Sequence, residues 1–289
     1  MSLRNPVKYP VKYYSWQDAQ APQLSDADGV IKTILKACLV TGYGTKQGAG
    51  WTALFEDAYR IVLRRPLRTG NPPDIKIENG TITGTTKRHR IVAQNNPTGL
   101  GDTKELSSVF TMMKDPSCGV EWHCIVTDFA FLLCYQMSEN SADISRNNAF
   151  FVGSSKKLKD SDLDIFLLYK NPYETGDGNG NYGFSLLDAA ANGVGFVNAR
   201  TKALYLNKYF LSIPDKTEKY FNNDYLAQRV IVDAVAELPF FTSVINNYDD
   251  TLNGIISVNG RQMFRYVNVQ SSSYGFSRPL YIPLDYWEL

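Results

Sequence analysis

Apolar positions in this chain fall into short runs, and most of those runs alternate or fill in the way β-strands do. The first exception is a helix near the N-terminus. Val30, Ile31, Ile34, Leu35, Cys38 and Leu39 recur at helical spacing, with Lys32 and Lys36 on the other face. Ser25, Asp26 and Asp28 supply N-cap oxygens ahead of it, and Gly42 follows as a left-handed terminator. A strand-like run then covers Ala58 to Leu63, before Pro66, Gly70, Pro72 and Pro73 punctuate a loop. Ile75, Ile77 and Ile82 flank Asn79-Gly80, a pair suited to a two-residue hairpin turn because both positions accept positive φ. His89 to Gln94 continues as a strand. The spacing predicts a second helix over 102–113: Asp102 caps, Glu105 sits three residues on, and Leu106, Val109, Phe110 and Met113 share a face. Pro116 and Gly119 stop it.

Strands follow at Val120 to Val126 and Phe129 to Tyr135, separated by a Thr127-Asp128 break, then at 149–152 and 165–169. Residues 171–183 form a Gly/Asn/Asp loop. Tyr225 to Leu238 is apolar on nearly every side, and periodicity leaves helix and buried strand both open. Leu252 to Val269 reads as a hairpin turning at Asn259-Gly260, and Pro279 to Trp287 as a strand whose prolines favour a sheet edge. Residues 1–24 form an aromatic arm that either docks on a partner or makes an edge strand of the chain's own sheet. The body is 25–289, with room for a subdivision near 115–120. The fold class expected is α+β, predominantly short antiparallel strands with two or three helices.

A chain of 289 residues has enough length to bury a substantial core. Lys+Arg 30 against Asp+Glu 29 is near balance, which argues against a nucleic-acid coat or a polybasic membrane surface. The basic runs Arg60 to Arg68 and Thr86 to Arg90 read as solvated faces or subunit contacts. The longest apolar run, Phe129 to Tyr135, is far below the ~20 residues of a membrane-spanning helix. No cationic start followed by an apolar stretch marks a secretory signal.

Candidate chemistry is sparse. There are two histidines. His89 lies among basic residues, and His123 sits in a strand next to Cys124, where adjacent side chains take opposite faces and cannot form a dyad. Cys118, Cys124 and Cys134 lack zinc-site spacing and read as reduced thiols. Asp160, Asp162 and Asp164 would share a strand face as a carboxylate cluster or mark a turn. Asp177, Asn179, Asn181 and Asp188 imitate a calcium loop, but position 6 is Tyr182 where glycine is required. The glycines at 42, 44, 48 and 50 follow a helix and do not precede one, the wrong order for a phosphate cradle. Aromatic residues remain, as core or as surface anchors.

One segment carries a family resemblance. Asp18, Ala19, Ala21, Pro22 and Leu24 are followed by Leu39, Val40, Gly42, Tyr43 and Gly44, then by Ala49, Gly50, Trp51 and Phe55. This DAxAPxL…LVxGYG…AGW pattern resembles the signature of a family of bacteriophage and prophage virion proteins, small tail-associated structural components. The likeness continues more diffusely through Trp122, Ile125, Val126, Asp128 and Phe131, then Phe150, Phe151 and Gly153, Asp162, Leu238-Pro239, Asn259-Gly260-Arg261 and Trp287. Val152 interrupts the Phe-Phe-Gly element, and Ala236-Glu237 stands where the family has Arg-Gly. The resemblance implies a non-enzymatic structural role in the virion, with no catalytic residue or cofactor. The function expected is therefore a virion component that self-associates and docks on other virion proteins, and the lack of a signal segment fits assembly in the host cytoplasm. Tyr13, Tyr14, Trp16, Tyr43 and Trp51 are the candidate contact or scaffold residues, core being the alternative for Trp51. The runner-up function is a tail module that binds a host receptor or carbohydrate; a third is a carboxylate-dependent polysaccharide hydrolase.

Overall fold

The computed structural model describes residues 7–67, 72–80, 88–103, 105–112, 120–136, 147–154, 156–157, 165–170, 184–188, 195–196, 218–221, 225–232, 236–243, 253–258, 260–271 and 276–289. The arm contributes two short strands, β1 (Lys8–Pro10) and β2 (Lys12–Ser15). Helix α1 (Val30–Lys36) continues into a π-helical turn, Ala37–Thr41. Strands β3 (Thr52–Glu56), β4 (Ile61–Arg64), β5 (Asp74–Gly80), β6 (Arg88–Gln94) and β7 (Glu105–Met112) then form a five-stranded meander.

Next come β8 (Trp122–Val126), β9 (Ala130–Gln136), β10 (Asn147–Ser154), β11 (Lys156–Lys157), β12 (Ile165–Lys170), β13 (Phe184–Asp188) and β14 (Gly195–Phe196). All but β11 join β2 in a seven-stranded sheet ordered β14-β13-β12-β10-β9-β8-β2. The chain closes with β15 (Glu218–Phe221), β16 (Tyr225–Val232), β17 (Ala236–Ser243), β18 (Gly254–Val258), β19 (Arg261–Ser271), β20 (Phe276–Pro283) and β21 (Tyr286–Glu288). Strands β15 to β20 form another sheet, ordered β15-β16-β17-β20-β19-β18, with β11 attached to β17; β21 pairs with β1.

The sheet containing β9 is the middle layer. Phe131, Leu133 and Tyr135 face one way and pack with Ile31, Ile34 and Leu35 of α1 and with Ile61, Ile75, Ile77 and Ile91 of the meander. Ala130, Leu132 and Cys134 face the other way and pack with Phe264, Tyr266, Leu280, Ile282 and Trp287. Burial on both faces explains why β9 is an unbroken apolar run where a half-solvated strand would alternate. Both cores meet at this sheet, so the strands on either side of the 115–120 region share one interior.

The helix content corrects the expected fold class. Among the described residues there is one α-helix and there are four sheets, so the fold is a β-sheet protein and not α+β with two or three helices. Residues 105–112, read as helix, are β7. Val109 pairs with Ile91 and Phe110 with Arg90. The presumed capping pair is occupied elsewhere: Asp102 Oδ2 accepts from the backbone N–H (3.0 Å) and hydroxyl (3.2 Å) of Thr98, and Glu105 pairs with Arg90 across the ladder. Of the 225–238 segment, left open between helix and buried strand, the described residues are strand, divided between β16 and β17.

Other differences are local. Asn79-Gly80 does not turn: it lies within β5, opposite His89 and Arg88, and Asn79 Oδ1 accepts from the Gly29 N–H at 3.2 Å. Residues 81–87, Ile82 among them, lie outside the described residues. Asn259-Gly260 does separate paired Val258 and Arg261, with Gly260 at φ 77. Strand β20 is no edge, since it lies between β17 and β19. Pro279 and Pro283 stand opposite Val267 and Met263 of β19, on either side of the two positions, Leu280 and Tyr281, that pair with β17. The arm lies on its own chain, β1 against β21 and β2 as the edge of the middle sheet. Helix α1 starts at Gly29 (φ 78) without a side-chain cap, so Ser25, Asp26 and Asp28 do not close it.

Candidate functional site

The signature residues converge on one place. Asp18 Oδ2 accepts hydrogen bonds from the Tyr43 hydroxyl (2.7 Å), the Lys46 ammonium (2.7 Å) and the Ser15 N–H (2.8 Å). Lys46 Nζ also donates to the Tyr13 carbonyl at 2.9 Å, tying the arm to the turn after α1. Trp122 Nε1 donates to the Pro22 carbonyl (2.8 Å), and the Trp122 ring meets Tyr43 edge-on at 6.2 Å. Trp51 is buried edge-on against Phe131 and donates to the Thr127 carbonyl at 3.1 Å. The glycines allow backbone to pass backbone: a Cβ on Gly44 would lie 2.4 Å from the Ala19 carbonyl oxygen, and one on Gly48 2.3 Å from that of Val40. The DAxAPxL and GYG elements are therefore two sides of a single lock. Burial alone would raise the Asp18 carboxyl, but Lys46, Ser15 and Tyr43 outweigh it and hold it below its ordinary value. Burial and the same Asp18 contact push the Tyr43 phenol up, so it stays a donor.

Beside the lock, β2 and β18 border a cleft of about 250 Å³ lined by both polar and apolar groups. At its base the Tyr13 hydroxyl meets His123 Nδ1 at 2.7 Å, and His123 Nε2 meets Glu121 Oε1 at 2.9 Å. Asn253 Nδ2 donates to the same Glu121 oxygen at 2.9 Å. Burial opposes ionisation of Glu121, yet the bonds from His123 and Asn253 lower its pKa overall. An ionised Glu121 accepts a hydrogen bond from Nε2–H, which leaves Nδ1 as acceptor and the Tyr13 hydroxyl as donor. Burial raises the Tyr13 phenol and keeps that proton in place. His123 also packs against Phe264, ring centroids 4.2 Å apart. Both imidazole nitrogens are engaged, so this histidine orients its neighbours and offers no free ring nitrogen to a substrate.

The five aromatic residues singled out in the sequence divide sharply. Tyr14 (2 % exposed) and Trp51 (3 %) belong to the core, Tyr13 and Tyr43 are half-buried, and Trp16 is 36 % exposed at the cleft rim. Cys38, Cys124 and Cys134 are buried free thiols. Three arginines of the first basic run are internally engaged: Arg60 pairs with Asp57, Arg64 with Asp74, and Arg65 donates to the Phe129 carbonyl at 3.0 Å, while Arg68 lies outside the described residues. Asp160, Asp162, Asp164, Asp177, Asn179, Asn181 and Cys118 lie outside the described residues; Asp188 ends β13 opposite Ile165.

Glu121, Lys46 and Asn253 were not legible as site residues. Their partners lie far along the chain, with Glu121 and Asn253 132 positions apart. Asp18 was visible as part of the signature, though not as the acceptor at its centre. Among the described residues no three His, Cys, Asp or Glu side chains are grouped as a metal site, and no helix is long and apolar enough to cross a membrane. No family model matches the chain, and neither a curated protein nor a solved structure shows significant similarity to it.

Proposed function

We propose that this chain is a non-enzymatic structural component of a bacteriophage or prophage virion, tail-associated, acting by self-association and by docking on other virion proteins. The observation that carries the reading is the lock. The residues that resemble the virion family, Asp18, Tyr43, Gly44 and Trp51, all hold arm, turn and sheet together. A signature devoted to internal fastening fits a protein whose task is to keep a shape under load. Exposed apolar side chains at Val7 (56 %), Tyr59 (53 %), Val120 (48 %) and Ile255 (52 %) supply surface for neighbours. Assembly in the host cytoplasm and residence in the particle follow from the same reading.

Deletion of the gene in the source phage or prophage, with complementation in trans, tests it. Electron microscopy of induced lysates is expected to show particles that lack a tail-associated feature, restored by the wild-type chain. Normal, infectious particles from the deletion would overturn the proposal.

A further inference from the structure

The cleft between β2 and β18 is a site that the lock does not explain. It lies between the edges of two different sheets, and its polar groups are arranged before any ligand arrives. Glu121 receives both of its hydrogen bonds on Oε1, leaving Oε2 without one among the described residues. The side-chain amide of Gln17 and the indole N–H of Trp16 likewise carry no hydrogen bond there. The Trp16 ring is 36 % exposed and Ile255 is 52 % exposed, on the two strands' sides of the opening. Among the described residues no lysine or arginine lines the cleft, whereas Asp18 and Glu121 both do.

We infer that this cleft binds one ring of a neutral saccharide. A sugar presents hydroxyls that donate and accept together, alongside a C–H face that packs on an aromatic ring. Glu121 Oε2 accepts a hydroxyl proton in a charge-assisted bond. The Gln17 amide does either job, and Trp16 supplies the apolar platform and one donor. The Tyr13–His123–Glu121–Asn253 chain holds the carboxylate in position, so little ordering remains to be done on binding. About 250 Å³ is below the roughly 300–1,000 Å³ of pockets for drug-sized ligands, which suits a single ring. Asp18 is paired with Lys46, which leaves the Glu121 carboxylate as the uncompensated charge of the lining, and that charge disfavours sialic acids, uronic acids and phosphorylated sugars. The inference does not depend on the virion reading and goes beyond it.

The test is a titration of the full chain, ¹⁵N-labelled, with the methyl glycosides of glucose, galactose, mannose and N-acetylglucosamine. N-acetylneuraminic acid serves as the anionic probe and glucosamine as the cationic one. At least one neutral glycoside is expected to shift the Trp16 indole resonance saturably. Trp16→Ala should then weaken binding about tenfold or more through the lost platform, and Gln17→Ala to a smaller extent, with the melting temperature of Gln17→Ala unchanged because that side chain is exposed. The inference is overturned if no neutral glycoside moves the Trp16 signal, if only a charged probe does, or if Trp16→Ala binds as wild type. Particle composition decides the virion reading separately, so the two fail independently.

Discussion

Tyr43 donates its hydroxyl proton to Asp18 Oδ2 across 2.7 Å, joining two signature elements that are 25 positions apart in the chain. Lys46 and the Ser15 N–H share the same oxygen. Tyr43→Phe and Asp18→Asn should each destabilise the protein by about 1–3 kcal/mol, since each leaves half-buried polar groups without their partner. The double variant should cost less than the sum, with a coupling of about 1 kcal/mol. Urea unfolding of the four proteins measures the cycle. Simple additivity would mean that the contact contributes nothing of its own.

His89 sets a pH dependence. Its ring is 1 % exposed, Nε2 has no hydrogen-bond partner, and burial lowers its pKa to about 3, with the Asp28 carboxylate opposing only in part. The unfolded chain takes up this proton near pH 6.5 and the folded chain near 3, so between those values the unfolded state binds more protons. Stability is therefore full above about 6.5 and falls by up to roughly 1.4 kcal/mol per pH unit on the way down to 3. Denaturation between pH 7 and 4 should show that slope, and His89→Phe should flatten it. An unchanged slope in the variant would remove His89 as its source.

Gly48→Ala tests the close backbone passage after α1. The added methyl would sit 2.3 Å from the Val40 carbonyl oxygen, which is backbone and cannot rotate away. A loss of about 2–4 kcal/mol is expected. Gly99→Ala meets nothing within 4 Å and should stay within about 0.5 kcal/mol of wild type. Thermal unfolding of both variants makes the comparison.

Fluorescence quenching reads the aromatic arrangement. Trp51, Trp122 and Trp287 are at most 3 % exposed, and Trp16 is 36 % exposed. Acrylamide should quench the native protein through Trp16 alone, so Trp16→Phe should abolish most of the quenching. Strong residual quenching in that variant would place another tryptophan at the surface.

What the sequence disclosed follows the range of the interactions. Phe129 to Tyr135 was legible as a strand because a sheet buried on both faces writes its burial into every position of the run. The Asn259-Gly260 turn was legible because its geometry is local. Asn79-Gly80 misled because pairing to His89 and a bond from Gly29 keep it extended, and neither contact is local. Residues 105–112 misled because Leu106, Val109 and Phe110 satisfy helical spacing, while the ladder with β6 decides the outcome. At the site, the signature named Asp18 and Tyr43 without disclosing that they touch. His123 was judged only against its neighbour Cys124, whereas its partner Tyr13 lies 110 positions away on β2.

The virion role is tested most directly by quantitative mass spectrometry of density-gradient-purified particles from the source host. The account predicts that the chain bands with the particle at a fixed stoichiometry to known tail proteins, its copy number identifying the substructure it builds. A chain that remains in the soluble lysate, absent from intact particles, would contradict it.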